Sequence, residues 1–80
     1  MHRIDARGLK CPEPVMLLHN RITRLGGGER IELLATDAGS ARDIERFCGF
    51  LGHVLVHSEQ DAEGVYLFVI EKRGRGTLGY

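Results

Sequence analysis

The sequence predicts an α/β (α+β) two-layer sandwich, β-α-β-α-β-β, in which a four-stranded mixed sheet carries two helices on one face. Three observations predict it. Apolar residues recur at helical spacing at Val15, Leu18, Ile22 and Leu25, and again at Ile44, Phe47, Cys48 and Leu51. Four short apolar or alternating runs read as strands. Glycines close both helical stretches, as Gly26-Gly27-Gly28 and as Gly52.

The elements follow in order. His2 to Ala6 is a short first strand with Ile4 as its core residue. Arg7-Gly8-Leu9-Lys10 is a βα connection of ordinary length, and Gly8 supplies a backbone shape that a Cβ would hinder. The first helix is expected from Pro12 to about Leu25, with Asn20, Arg21, Thr23 and Arg24 on its wet side. The triple glycine follows a helix and precedes a strand, so it is a terminator and not a phosphate cradle. Glu29 to Thr36 is the second strand, with Ile31, Leu33 and Ala35 facing one way. Asp37-Ala38-Gly39 reads as a loop, and Ser40 with Asp43 as a weak capping box opening a second helix from Ala41 to about Leu51. His53 to Glu59 and Val65 to Lys72 are the last two strands, joined by a turn. One domain is expected over residues 1–72, with residues 73–80 a flexible tail.

The fourth strand is apolar on both sides, with Val65, Leu67 and Val69 on one and Tyr66, Phe68 and Ile70 on the other. One set must lie on the face without helices, where Leu34 or Leu55 can join it. Such a patch fits a partner or a homodimer, and equally partial cover by the tail or scattered exposed apolar residues.

Composition narrows the function. The formal net charge is zero, which is not the footprint of a protein that grips a nucleic-acid backbone. No apolar run approaches membrane-spanning length, and Met1-His2-Arg3-Ile4-Asp5 lacks the core of a signal peptide. Two distant cysteines do not make a stapled secreted scaffold, so the expected compartment is the reducing cytoplasm. His2, His19, His53 and His57 show no metal-ligand spacing with the cysteines, and neither a metal nor a cofactor is expected. His53 and His57 stand at even offsets along one strand and would share a face.

The chemistry centres on Lys10-Cys11-Pro12-Glu13-Pro14. Pro12 suits the first helical position and Pro14 the first turn, where no intrahelical N–H is lost. Cys11 would then be the helix N-cap, with its sulfur at the positive end of the dipole near the N–H of Glu13. That place favours the reactive thiolate, and Lys10 adds to it while the Glu13 carboxylate opposes it. The position three residues after Cys11 is Pro14, so there is no local resolving cysteine. A lone activated thiol suits a covalent carrier. Cys48, on the apolar stripe of the second helix, reads as structural.

Asp5 through Val15 resembles the signature of the TusA family (also called SirA-like) of sulfur carriers: Gly-Leu, one variable residue, then Cys-Pro-x-Pro. Asp37, Arg42-Asp43-Ile44 and Phe47-Cys48 resemble the family around its second helix, and the likeness extends to about Lys72. The resemblance implies the same sandwich. It also implies a persulfide relay in which Cys11 accepts sulfur from a cysteine desulfurase and passes it to a downstream relay protein. In TusA itself that sulfur reaches the 2-thiouridine of certain tRNAs; relatives serve molybdenum cofactor synthesis or sulfur oxidation. No direct nucleic-acid or membrane contact is expected, and the chain would be a monomer or weak homodimer. The alternatives are a binding module that docks through the Cys-Pro-x-Pro turn and open sheet face, and a redox sensor oxidised at Cys11.

Overall fold

The computed structural model describes residues 2–74. Its elements are β1 (His2–Ala6), α1 (Glu13–Ile22), β2 (Arg30–Ala35), α2 (Ala38–Leu51), β3 (Val54–Gln60) and β4 (Tyr66–Glu71). The four strands form one sheet in the order β1-β2-β4-β3. β1 and β2 run parallel, and β4 lies antiparallel to both β2 and β3. β4 is therefore inserted between two strands that α2 connects. The predicted two-layer arrangement is the one observed.

One parity of strand residues makes the core. Ile4, Ala6, Ile31, Leu33, Ala35, Phe68 and Ile70 meet Leu18, Ile22, Ile44 and Cys48 from the helices, and all are buried. Leu55 and Tyr66 pack against the same cluster. The open face carries Leu34, Leu67 and Val69, half-buried, and is braced by the ion pairs Arg3–Glu32 and Arg30–Glu71. Leu55 does not join it.

The ends of the helices differ from expectation. α1 ends at Ile22, and the chain runs on in tighter turns, with the N–H groups of Arg24 and Leu25 donating to the carbonyls of Arg21 and Ile22. The Thr23 hydroxyl donates to the Asn20 carbonyl at 2.8 Å, competing with the regular ladder. Leu25 still reaches the core, and Lys72 Nζ caps the carbonyls of Leu25 and Thr23. α2 starts at Ala38, three residues before the predicted start, because Asp37 is its N-cap. Gly52, at φ 80°, closes it.

β3 holds a second difference. Leu55 pairs with Ile70, yet His57 pairs with Val69, so Val56 is an extra residue in the ladder. The bulge puts His57 on the open face, where it contacts Glu59. His53 sits on the helix side, its ring 5.7 Å from that of Phe47. The two histidines do not share a face, because the inserted residue breaks the alternation. Arg73, assigned to the tail by sequence, donates its backbone N–H to His53 Nδ1 at 2.9 Å and its guanidinium to the Leu51 carbonyl at 3.2 Å. Residues 75–80 of that predicted tail lie outside the described residues.

Candidate functional site

The parallel pairing of β1 and β2 builds the site. Ala6 pairs with Ala35 at the carboxyl ends of the two strands, so the loops into α1 and α2 leave the sheet side by side. This end of a parallel pair is where open α/β sheets place their sites. The Gly8 N–H donates to Thr36 Oγ1 at 2.9 Å and ties the two loops together. Gly8 has φ 84° in a turn closed by the Leu9 N–H on the Ala6 carbonyl, so its backbone needs the freedom the sequence suggested. Arg7 grips Asp5 through two parallel bonds of 2.8 and 2.7 Å, which brings the Asp5 carboxyl down to about 2.

The start of α1 departs from expectation. The Cys11–Pro12 peptide is cis, Pro12 is the N-cap, and Glu13 and Pro14 open the helix. Pro14 is buried, while Lys10, Cys11, Pro12 and Glu13 are exposed. Among the described residues no side chain caps this helix, and the Glu13 N–H goes to the Lys10 carbonyl at 2.9 Å. Cys11 is thus one residue outside the cap position, and its sulfur does not cap α1.

It is turned toward α2. The Cys11 thiol donates to Asp43 Oδ2, and the Cys11 N–H donates to Asp37 Oδ2 at 3.2 Å. That same Asp37 oxygen takes the N–H and hydroxyl of Ser40, at 3.0 and 3.1 Å. One carboxylate oxygen therefore caps α2 and anchors the cysteine loop. Gly39 adjoins this junction: a Cβ there would crowd Asp37 Oδ2 at 3.2 Å and meet Cys11 Cβ at an ordinary contact distance of 3.7 Å.

The electrostatics run opposite to the sequence expectation. The Cys11 pKa is raised, first by the hydrogen bond to Asp43, then by desolvation and the charges of Asp43 and Asp37. Asp37 is held below the usual carboxylate range, chiefly by the Cys11 N–H, with the Lys10 charge contributing. Cys48 is buried at 3 % exposure, and burial pushes its thiol up to about 11. Among the described residues no group of histidine, cysteine and acidic side chains could hold a metal ion.

Asp43 also lines an open hollow with Val15, Arg46, Phe47, Gly49 and Phe50, the last 89 % exposed. Sequence reading put Gly8 in the loop that leads to Cys11 and both prolines in the first turn of the helix; the structure keeps Gly8 and Cys11 in that loop and Pro14 in the helix, and moves Pro12 out to the N-cap. That reading gave no role to Asp37 or Gly39 and took Asp43 as half of a capping box with Ser40; in the structure Ser40 is what Asp37 caps, and Asp43 lies on the Cys11 thiol instead. The signal available for Asp37 was its place three residues before Ser40, the spacing of an N-cap to the N–H it accepts.

Comparison with known proteins agrees with this architecture. Residues 2–72 match the family described as Sulfurtransferase TusA. This chain belongs to the TusA family. The sulfur carrier protein TusA of Pseudomonas aeruginosa strain LESB58 is 50% identical over 70 residues, spanning 88% of this chain and 87% of that protein. The sulfur carrier protein TusA of Pseudomonas putida strain F1 is 47% identical over 70 residues, spanning 88% and 86%. The crystal structure of a SirA-like protein from Desulfitobacterium hafniense superposes with a TM-score of 0.83 at 24% identity, covering 91% of this chain and 99% of that one. It shares the fold. Membership of the TusA family carries with it a role in sulfur transfer. No helix among the described residues is long and apolar enough to cross a membrane.

Proposed function

We propose that Cys11 is the carrying atom: it accepts sulfane sulfur from a cysteine desulfurase and relays it to a thiol of a downstream protein, toward 2-thiolation of the tRNA wobble uridine. The observation that carries this reading is the contrast between the two free cysteines. Cys11 is exposed on the loop from β1 to α1, and Cys48 is buried on the core side of α2. Only an exposed sulfur can meet a donor and then a different acceptor.

The chemistry is thiol exchange. The Cys11 thiolate attacks the terminal sulfur of the donor persulfide, a new S–S bond forms at Cys11, the donor's S–S bond breaks, and the donor cysteine leaves as thiolate. The proton count and the sulfur oxidation level are conserved, so no outside oxidant is needed. The second transfer repeats the step with Cys11 as leaving group. The protein is then a covalent carrier consumed and regenerated in each cycle. The tRNA would be held by a later protein, since the chain has zero formal net charge. A reducing compartment such as the cytoplasm keeps the thiol available.

The test is intact-mass analysis after incubation with a cysteine desulfurase, pyridoxal phosphate and free cysteine. Wild type and Cys48→Ser are expected to gain one sulfur that dithiothreitol removes, and Cys11→Ser none. Wild type without added sulfur, beside a control acceptor that is loaded, would sink the proposal.

A further inference from the structure

Asp43 is an acidic side chain with no part in the two sulfur transfers, yet it sits on the thiol. It comes from the second turn of α2, is half-buried, and accepts the Cys11 S–H through Oδ2. A carboxylate can only accept; for this bond to exist, the sulfur must keep its proton. Deprotonating Cys11 would lose the bond and set two negative charges against each other.

Arg46, one turn on along α2, lines the same hollow as Asp43, but neither it nor the other charged groups around the sulfur offset this, and the Cys11 pKa stays raised. From the β2–α2 junction, Asp37 adds a second carboxylate and, as the cap of α2, neutralises the positive end of that helix. From the cysteine loop, the Lys10 charge acts on Asp37. From the start of α1, Glu13 is a third acid, two residues on. Cys11 is an exposed cysteine with acids on both flanking elements, the reverse of the electropositive surroundings that activate thiols.

We propose that Asp43 is a positioning residue that holds the Cys11 sulfur as a protonated thiol, aimed at α2, in the free carrier. The proposal rests on the reading of Cys11 as the carrying atom and adds a guard to it. A carrier that waits between partners with its thiol protonated is a poor target for peroxides and other small electrophiles, since those react with thiolate. A partner that covers this loop and pairs with Asp43 would free the sulfur to ionise at the moment of transfer.

The experiment is the rate of iodoacetamide alkylation of the full chain against pH, followed by intact mass, for wild type and Asp43→Asn, with Asp43→Ser as a second uncharged variant should the first lose its helical circular dichroism. Both variants are expected to move the midpoint of the profile to lower pH and to raise the rate at neutral pH by about three- to tenfold, tenfold corresponding to one pKa unit. An unchanged profile overturns the proposal. So does a rate raised equally at every pH without a shift of midpoint, which would mean that Asp43 merely screens the sulfur from the reagent. Desulfurase loading of wild type is measured in parallel: its failure would sink the carrier reading and leave the alkylation result standing.

Discussion

The backbone N–H of Cys11 donates to Asp37 Oδ2 at 3.2 Å, the oxygen that also caps the second helix through Ser40. The reactive loop and the helix beside it are thus fastened at one atom. Replacing Asp37 removes a cap and a loop anchor together. Asp37→Ala is expected to lower stability by about 1–2 kcal/mol, the range for losing a good N-cap. Asp37→Asn keeps a side-chain acceptor and should retain most of it. Urea unfolding of the two variants checks this; equal losses would refute the shared-anchor account.

Gly8 stands at φ 84° with open space where a Cβ would go. Gly8→Ala therefore meets no clash and pays only for its left-handed backbone, about 1 kcal/mol. The expected result is a small loss of stability with a slower sulfur loading, because the Gly8 N–H bond to Thr36 helps to set the loop. A variant as stable as wild type would show that the turn can relax to negative φ.

Alkaline pH should act through Cys48. Its thiol is pushed up to about 11 by burial, against about 8.5 in the unfolded chain. The folded state holds the proton longer, so this contribution is complete below about pH 8.5 and is lost as pH rises toward the folded value. The slope approaches about 1.4 kcal/mol per pH unit within that window. Cys48→Ala is expected to be less stable at neutral pH but to show a shallower decline between pH 8.5 and 10.5, read by denaturant unfolding at each pH.

Acid should act through His53. Burial first, then the charges of Lys72, Arg73 and His19, lowers its pKa below the ordinary histidine value. The unfolded chain takes the proton first, so stability is complete above about pH 6.5 and falls as pH drops through the folded value. Protonation also ends the bond His53 Nδ1 accepts from the Arg73 N–H. His53→Asn, which offers an acceptor without titrating, should flatten the loss between pH 7 and 5. An identical loss in both proteins would place the acid sensitivity elsewhere.

The fold was legible because its core positions obey their periods: Leu18 and Ile22 on one helix, Ile31 and Leu33 on one strand face. The cysteine loop was legible because glycine and proline declare turns locally. What escaped were relationships across the chain. Cys11 and Asp43 are 32 residues apart, and only the parallel register of Ala6 with Ala35 brings them together. Without that register, the nearest visible field on Cys11 was the α1 dipole, and it gave the wrong sign. The start of α2 was missed because Ser40 resembles a cap, although its N–H and hydroxyl are what Asp37 caps. Nothing in the alternation of Leu55, Val56 and His57 marks which residue is the extra one.

That extra residue has an effect beyond the two histidines. β3 is an outer strand, and its residues Val56 through Gln60 are exposed. A regular outer strand of this length would offer its free backbone groups as a template for a second chain. Val56 interrupts the spacing of those groups and sharpens the local twist, and Glu59 sets a charge further along the strand. An incoming strand could follow the edge for only a few residues before its hydrogen bonds fell out of step. The kink thereby discourages strand-by-strand polymerisation along this edge.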